Sequence, residues 1–148
     1  MQIPINLRLD DDGLLRKQCP YCDQQFKIYP SDEKSAFQRL YCPLCGLPAP
    51  KDSFFTDDQI EMAYTLASNA VFSAINKELS DLKRSFRNDK LVKLEVNPLK
   101  PKDVKPIIET SNFDNVTMSC CDKHAFIFSP STYKVLYCHY CGEINFPA

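Results

Sequence analysis

Apolar and polar positions alternate in short stretches at both ends of this chain and follow a helical period between them. Asp10-Asp11-Asp12-Gly13 predicts a turn, because Asp and Gly accept the dihedral angles that turns require. Gln25-Phe26-Lys27-Ile28-Tyr29 alternates polar and apolar, the two-residue period of a half-buried strand, and Pro30-Ser31-Asp32-Glu33 breaks it. A second strand is predicted around Arg39-Leu40-Tyr41. Leu47-Pro48-Ala49-Pro50 reads as a stiff linker, since two prolines disfavour both helix and central strand. Thr56-Asp57-Asp58-Gln59 is a helix start: Thr56 caps the third helical amide, Gln59 reaches back, and the two Asp complement the dipole. No Pro or Gly interrupts the following residues, so the helix is placed over 56–89, roughly 45–50 Å long. Ile60, Ala63, Ala67, Ala70, Val71, Ala74, Ile75, Leu79, Leu82 and Phe86 form its apolar stripe. Lys90-Leu91-Val92-Lys93-Leu94-Glu95-Val96 alternates again and predicts a strand, after which Pro98, Pro101 and Pro106 mark a semi-rigid connector. From Asn115 the chain is strand-like once more.

Eight cysteines change this picture. Cys19 and Cys22 form one Cys-x-x-Cys pair and Cys42 and Cys45 another, nineteen residues later. Two residues between cysteines let a tight turn aim both thiolates at one ion about 2.3 Å away, and two such turns complete a zinc tetrahedron. Pro20 and Pro43 stiffen the turns, and Gly46 permits the backbone reversal after the second. Cys-Pro-Tyr-Cys is also a tetrapeptide of thiol redox sites, where a following helix lowers the first thiol's pKa. Here a short strand follows instead, and a second pair stands at metal spacing.

The second cluster is Cys120-Cys121-Asp122-Lys123-His124, thirteen further residues, then Cys138-His139-Tyr140-Cys141-Gly142. It repeats the first in outline, since Tyr41-Cys42-x-x-Cys45-Gly46 recurs from Tyr137. Cys138 and Cys141 are one pair. Cys121 and His124, at two-residue spacing, are taken as the other, with Cys120 as the alternative to either and otherwise a small buried apolar residue. His139, between two ligands on a turn, is expected to face solvent.

Other chemistry narrows the function. Ligands fill all four positions at the first cluster and exceed demand at the second, and no His-Glu-x-x-His pattern appears, so no open catalytic metal position is expected. The three glycines, Gly13, Gly46 and Gly142, form no phosphate loop. These features read as a non-enzyme. A net charge of −1 argues against whole-chain attraction to a polyanion. Basic residues concentrate locally: Lys77, Lys83, Arg84, Arg87, Lys90, Lys93, Lys100, Lys102 and Lys105 stand against five acids over residues 77–105. Of these, Lys83, Arg84, Arg87, Lys90 and Lys93 are the candidate nucleic-acid contacts; the structural alternative is a solvated helix face. No apolar run is long enough to span a membrane, and the start lacks a basic, then apolar leader, so a cytoplasmic location in a reducing compartment is expected.

The Cys-Pro-x-Cys and Cys-Pro-x-Cys-Gly knuckles resemble the zinc-ribbon group found in transcription factors, polymerase subunits and ribosomal proteins, over residues 14–50 closely and 116–146 loosely. Ile-Pro-Ile with Leu-Asp-Asp-Asp-Gly-Leu-Leu-Arg ahead of the first knuckle is similar to small bacterial zinc-ribbon proteins without an assigned activity. The resemblance implies antiparallel hairpins, structural zinc and a binding role toward nucleic acid or protein. The long helix departs from a plain ribbon. The expected architecture is therefore α+β: a zinc ribbon over 1–55, the helix over 56–89, a strand and proline-rich connector over 90–112, and a second zinc ribbon over 113–148. The expected function is that of a zinc-binding adaptor or regulatory protein with two structural zinc ions and a protein partner, self-associating through the helix. The alternative is a transcription- or defence-related nucleic-acid binder using the basic segment.

Overall fold

Two hairpins of matching register form the centre of the structure, a computed structural model that describes residues 9–36 and 38–146. β1 (Leu15–Gln18) pairs antiparallel with β2 (Gln25–Ile28), placing Leu15 opposite Ile28 and Gln18 opposite Gln25. Further along, β5 (Asp114–Met118) pairs with β6 (Lys123–Ile127), placing Asp114 opposite Ile127 and Thr117 opposite His124. The inner strands then pair with each other, Phe26 with Ile127, Lys27 with Phe126 and Ile28 with Ala125, so the sheet order is β1-β2-β6-β5. The order reads the same from either edge. Each hairpin is followed by a helical turn opened by proline, α1 (Pro30–Ser35) after the first and a 3-10 turn (Pro130–Thr132) after the second. A smaller hairpin comes next in both cases: β3 (Arg39–Tyr41) with β4 (Pro48–Pro50), and β7 (Leu136–Tyr137) with β8 (Ile144–Asn145). The chain thus contains the same unit twice.

The two copies interlock reciprocally at their small hairpins. Tyr41 N–H donates to the His139 carbonyl (3.0 Å) and Tyr137 N–H to the Pro43 carbonyl (2.8 Å). The Tyr137 ring lies against Gly46 and the Tyr41 ring against Gly142, where an added Cβ would stand 2.8 and 2.7 Å from the ring carbons. Both glycines have positive φ, so sterics and backbone conformation call for glycine together.

Phe26, Ile28, Leu40, Phe54, Met118, Ala125, Ile127 and Leu136 are fully buried and form the core with the cysteines beside them. Each large apolar side chain among them contributes about 1.5–3 kcal/mol relative to exposure. Phe26 meets Phe54 edge-on at 5.9 Å between ring centroids. The sheet's other face carries Arg16, Lys27 and Phe126. There Lys27, almost wholly buried, is satisfied by Asp10 Oδ2 (2.7 Å) and the Thr110 carbonyl (2.5 Å), with the Phe113 ring over its ammonium. A lysine that alternation marks as solvent-facing is thereby made internal by segments distant in sequence.

The first turn of α2 (Asp57–Ser85) is fixed by the expected reciprocal cap: Gln59 N–H donates to Thr56 Oγ1 (3.2 Å) and Thr56 N–H to Gln59 Oε1 (3.0 Å). Gln59 also donates to the Arg16 carbonyl (3.0 Å). The strand break expected at Pro30-Ser31-Asp32-Glu33 takes the form of the helix Pro30–Ser35, since proline suits the first helical turn. Two expectations need correction. Residues 48–50 are a strand rather than a linker: Cys42 N–H bonds Leu47 O and Lys51 N–H bonds Gln38 O, so Pro48 and Pro50 fall at positions whose nitrogens face away from the partner. Residues 90–96 form no strand; among the described residues nothing pairs with them, and Leu91 is 95% exposed.

The chain divides into two units. One holds the described residues of Leu7–Gln59 and Ile107–Ala148, and so both copies of the repeat; the other is Ile60–Pro106. In the second unit the connector runs along the helix. The Asn69 side chain both donates to Lys102 O and accepts from Lys102 N–H (2.8 and 2.7 Å), and Asn76 does the same with Leu99 (2.8 Å each way). No helix among the described residues is long and apolar enough to cross a membrane.

Candidate metal sites

Each copy of the repeat ends its large and small hairpins at one point, and each brings four cysteines there. Cys19 and Cys22 sit on the β1–β2 turn and Cys42 and Cys45 on the β3–β4 turn; all four sulfurs lie within 4.8 Å of one another. The second group is Cys120, Cys121, Cys138 and Cys141, equally close. Tetrahedral ligation with metal–sulfur bonds of about 2.3 Å sets sulfurs about 3.8 Å apart. Cys19 and Cys45 stand 3.6 Å apart, Cys22 and Cys42 3.7 Å, and Cys120 and Cys141 3.4 Å. All eight thiols are unbridged. Both donor sets fit a soft four-coordinate ion.

Backbone amides support the sulfurs. Tyr21, Leu44 and Tyr140 N–H groups each point at the first sulfur of their Cys-x-x-Cys turn, Cys19, Cys42 and Cys138, at 3.4 Å. Gly46 and Gly142 N–H groups close these turns onto the Cys42 and Cys138 carbonyls at 2.9 Å. Burial pushes the Cys42 thiol far up, and pushes Cys138 up to about 11, with backbone amides offsetting part of each rise. Cys19 goes the other way: burial opposes ionisation, but the Cys22 and Tyr21 amides and neighbouring thiols outweigh it. Cys120 is lowered too, against its own burial cost, by the Asn145 amide and the thiols around it.

The first cluster joins the four residues that spacing predicts. The second does not join Cys121 with His124. His124 lies on β6, facing Thr117, with Nδ1 3.1 Å from Asn115 Oδ1 and 3.3 Å from Thr117 Oγ1, and its ring meets Tyr29 edge-on. Cys120 stands in the cluster instead. Register gives the reason: Thr117 and His124 occupy in the second hairpin the places of Gln18 and Gln25 in the first, so His124 is a strand residue beyond the turn. Met118, fully buried, then occupies the place of Cys19. The turn itself is retained, because Asp23 and Asp122 at matching places both adopt the left-handed conformation, φ 58° and 51°. With no sulfur ligand at 118, the missing donor comes from Cys120, and two adjacent cysteines face one point.

Asn145, absent from the sequence expectations, organises that turn. Its Oδ1 accepts from Ser119 N–H and Oγ (3.0 Å each), and its Nδ2 points at Cys120 Sγ (3.5 Å). His139 also departs from expectation: it is fully buried, with Nε2 3.0 Å from Asp32 Oδ2, and Asp32 in turn pairs with Lys123 (3.2 Å). The knuckle carrying His139 docks on α1 of the other copy, which turns an outward position inward. Burial lowers the His139 pKa, partly opposed by Asp32.

The basic candidates lie in the other unit. Lys83, Arg84, Arg87 and Lys93 line one concavity of about 530 Å³ at the end of α2, with Phe86, Asp89 and Glu95; Lys90 is not in its lining. Arg84 also pairs with Asp81 at 3.8 Å on the exposed helix surface.

No family model matches the chain, and no characterised relative or solved structure matches it.

Proposed function

We propose that the protein is a zinc-dependent, non-enzymatic adaptor whose duplicated unit is a pair of zinc ribbons, each folded around one structural zinc ion. The observation that carries this reading is the tetrahedral spacing of four sulfurs in each cluster. Four thiolates fill every position of a four-coordinate zinc, leaving no place for the water that catalytic zinc requires. The ions act on folding: a structural zinc is worth on the order of 10 kcal/mol in small domains, and thin hairpins gain most from it. Function then resides on the surfaces that the ribbons and the long helix hold in shape, with a protein as partner in the cytoplasm.

Metal analysis combined with native mass spectrometry tests this. Two zinc ions per chain, with loss of hairpin structure on chelation, are expected. Fewer than two, or iron in their place, overturns it, since four thiolates also suit iron.

A second reading, nucleic-acid binding, is favoured by the gathering of Lys83, Arg84, Arg87 and Lys93 in one concavity. It predicts retention on nucleic acid that falls steeply with salt and is lost on joint replacement of Lys83, Arg87 and Lys93 by Gln.

A further inference from the structure

The two clusters differ in what can reach their sulfurs. No cysteine of the first is exposed: Cys19 and Cys42 are buried, and Cys22 and Cys45 are half-buried. Its close contacts, Cys19 with Cys45 at 3.6 Å and Cys22 with Cys42 at 3.7 Å, each include a buried member. In the second cluster Cys120 and Cys141 are both exposed, and their sulfurs stand 3.4 Å apart. Cys120 sits on the β5–β6 turn and Cys141 on the β7–β8 turn. A dissolved oxidant can therefore meet one sulfur of this pair with a second already in position to react.

The thiolate is the form that peroxides oxidise, and ligation to a metal keeps sulfur in that form at neutral pH. The Cys120 sulfur attacks one oxygen of hydrogen peroxide, the O–O bond breaks, and Cys120 becomes a sulfenic acid as hydroxide leaves. The Cys141 thiolate then attacks the Cys120 sulfur, forming the S–S bond and displacing a second hydroxide. Two electrons pass from sulfur to the peroxide, whose oxygens leave as two hydroxide ions that solvent protonates. Of the four thiolates only Cys121 and Cys138 remain, too few for a closed four-coordinate zinc site. The S–S bond joins the same two turns, so the emptied site stays assembled for reduction by a thiol and reloading.

Granted the two structural zinc ions proposed above, on which this depends, we infer that Cys120 and Cys141 are a peroxide-sensitive pair that releases the second ion reversibly while the first is retained. Hydrogen peroxide in slight excess is added to the zinc-loaded full chain, followed by native mass spectrometry and by peptide mapping after thiol alkylation. One of the two ions should be lost, with a single disulfide between Cys120 and Cys141, and dithiothreitol with added zinc should restore both ions. Met118→Cys combined with Cys120→Ser moves the donor to a fully buried position, so this variant should keep two ions in the same peroxide. Fewer than two ions before peroxide is added overturns the zinc reading and this inference with it. With two ions present at the start, release of both together, retention of both, or a disulfide between another pair would each overturn the inference alone. So would oxidation that dithiothreitol does not reverse, or equal release from the double variant. The disulfide mapped in the native chain decides the matter should the double variant bind one ion only.

Discussion

The two cysteine clusters occupy equivalent places in a duplicated framework, yet differ in how they are supplied. In the first, Cys19 and Cys42 are fully buried and both pairs are Cys-x-x-Cys turns with an amide at the leading sulfur. In the second, only Cys138 is buried, Cys120 and Cys141 are exposed, and one pair is contiguous. The framework has held the position of the site while the source of one donor shifted by two residues along a turn. A metal site in such a hairpin is therefore specified by where four sulfurs converge, more than by any single spacing.

The largest effects separate the two sites by depth. Cys42→Ser should forfeit metal-coupled folding energy on the order of 10 kcal/mol. Because Tyr41 and Tyr137 bond across the two copies, both ions and the cooperative thermal transition should be lost. Cys120→Ser should leave one ion and a folded first copy, and His124→Ala should leave two; native mass spectrometry distinguishes these outcomes. A second ion retained by Cys120→Ser but lost by His124→Ala would reverse the ligand assignment. The comparison is sharpened by moving the donor back. Met118→Cys combined with Cys120→Ser places a thiol where Cys19 stands in the first copy, and should restore a stoichiometry of two.

Next in size is the order of metal release. Burial raises the Cys42, Cys121 and Cys138 thiols above an ordinary value of about 8.5. Ions must displace those protons, so affinity rises with pH and is lost as pH falls. Both ions should leave on acidification. The exposed sulfurs of the second site give chelator and acid a path that the first lacks, so one ion should leave well before the other. A chelator titration followed by mass spectrometry should show a one-ion intermediate, and that intermediate should survive in Cys120→Ser. A single step that releases both ions together would mean that the two sites are not separable.

How much of this could be read from the chain depended on whether the deciding interactions were local. The two Cys-x-x-Cys pairs of the first cluster, the β2 and β3 strands and the Thr56–Gln59 cap each involve neighbours in sequence and were legible. Lys27 looked like a surface lysine because its partners, Asp10 and Thr110, lie on segments far away along the chain. His139 looked exposed because α1 of the other copy, which covers it, cannot be placed by periodicity. The Cys120 ligand was recoverable in principle. Aligning Cys22-Asp23 with Cys121-Asp122 puts Met118 opposite Cys19 and leaves Cys120 as the nearest donor, whereas spacing alone favoured His124.

Smaller effects test the seam between the copies. Gly142→Ala and Gly46→Ala each drive a Cβ into the opposite tyrosine ring at a positive φ, so a loss of about 1–3 kcal/mol is expected for either. Tyr41→Leu should recover part of the Gly142→Ala loss, since the clash is with that ring. Additive losses in a double-mutant cycle would show that the two do not meet.

The most local change expected is at Asn145, and it bears on why the second site tolerates a displaced donor. Asn145 is buried and ties Ser119 and Cys120 to β8, so its amide does for the contiguous pair what a backbone amide does for the leading sulfur of the other three turns. Asn145→Ala removes one hydrogen bond to a thiolate and leaves Ser119 N–H without its partner, a cost of about 1–3 kcal/mol. Because that loss falls on the copy whose sulfurs already meet solvent, it should appear chiefly as faster chelation of the second ion, with the first unaffected. Asn145→Asp retains the acceptor for Ser119 but sets a carboxylate beside the Cys120 thiolate, so it should release the second ion faster than Asn145→Ala does. Faster release from Asn145→Ala than from Asn145→Asp would place the role of Asn145 in Ser119 alone and leave the Cys120 sulfur without a dedicated donor.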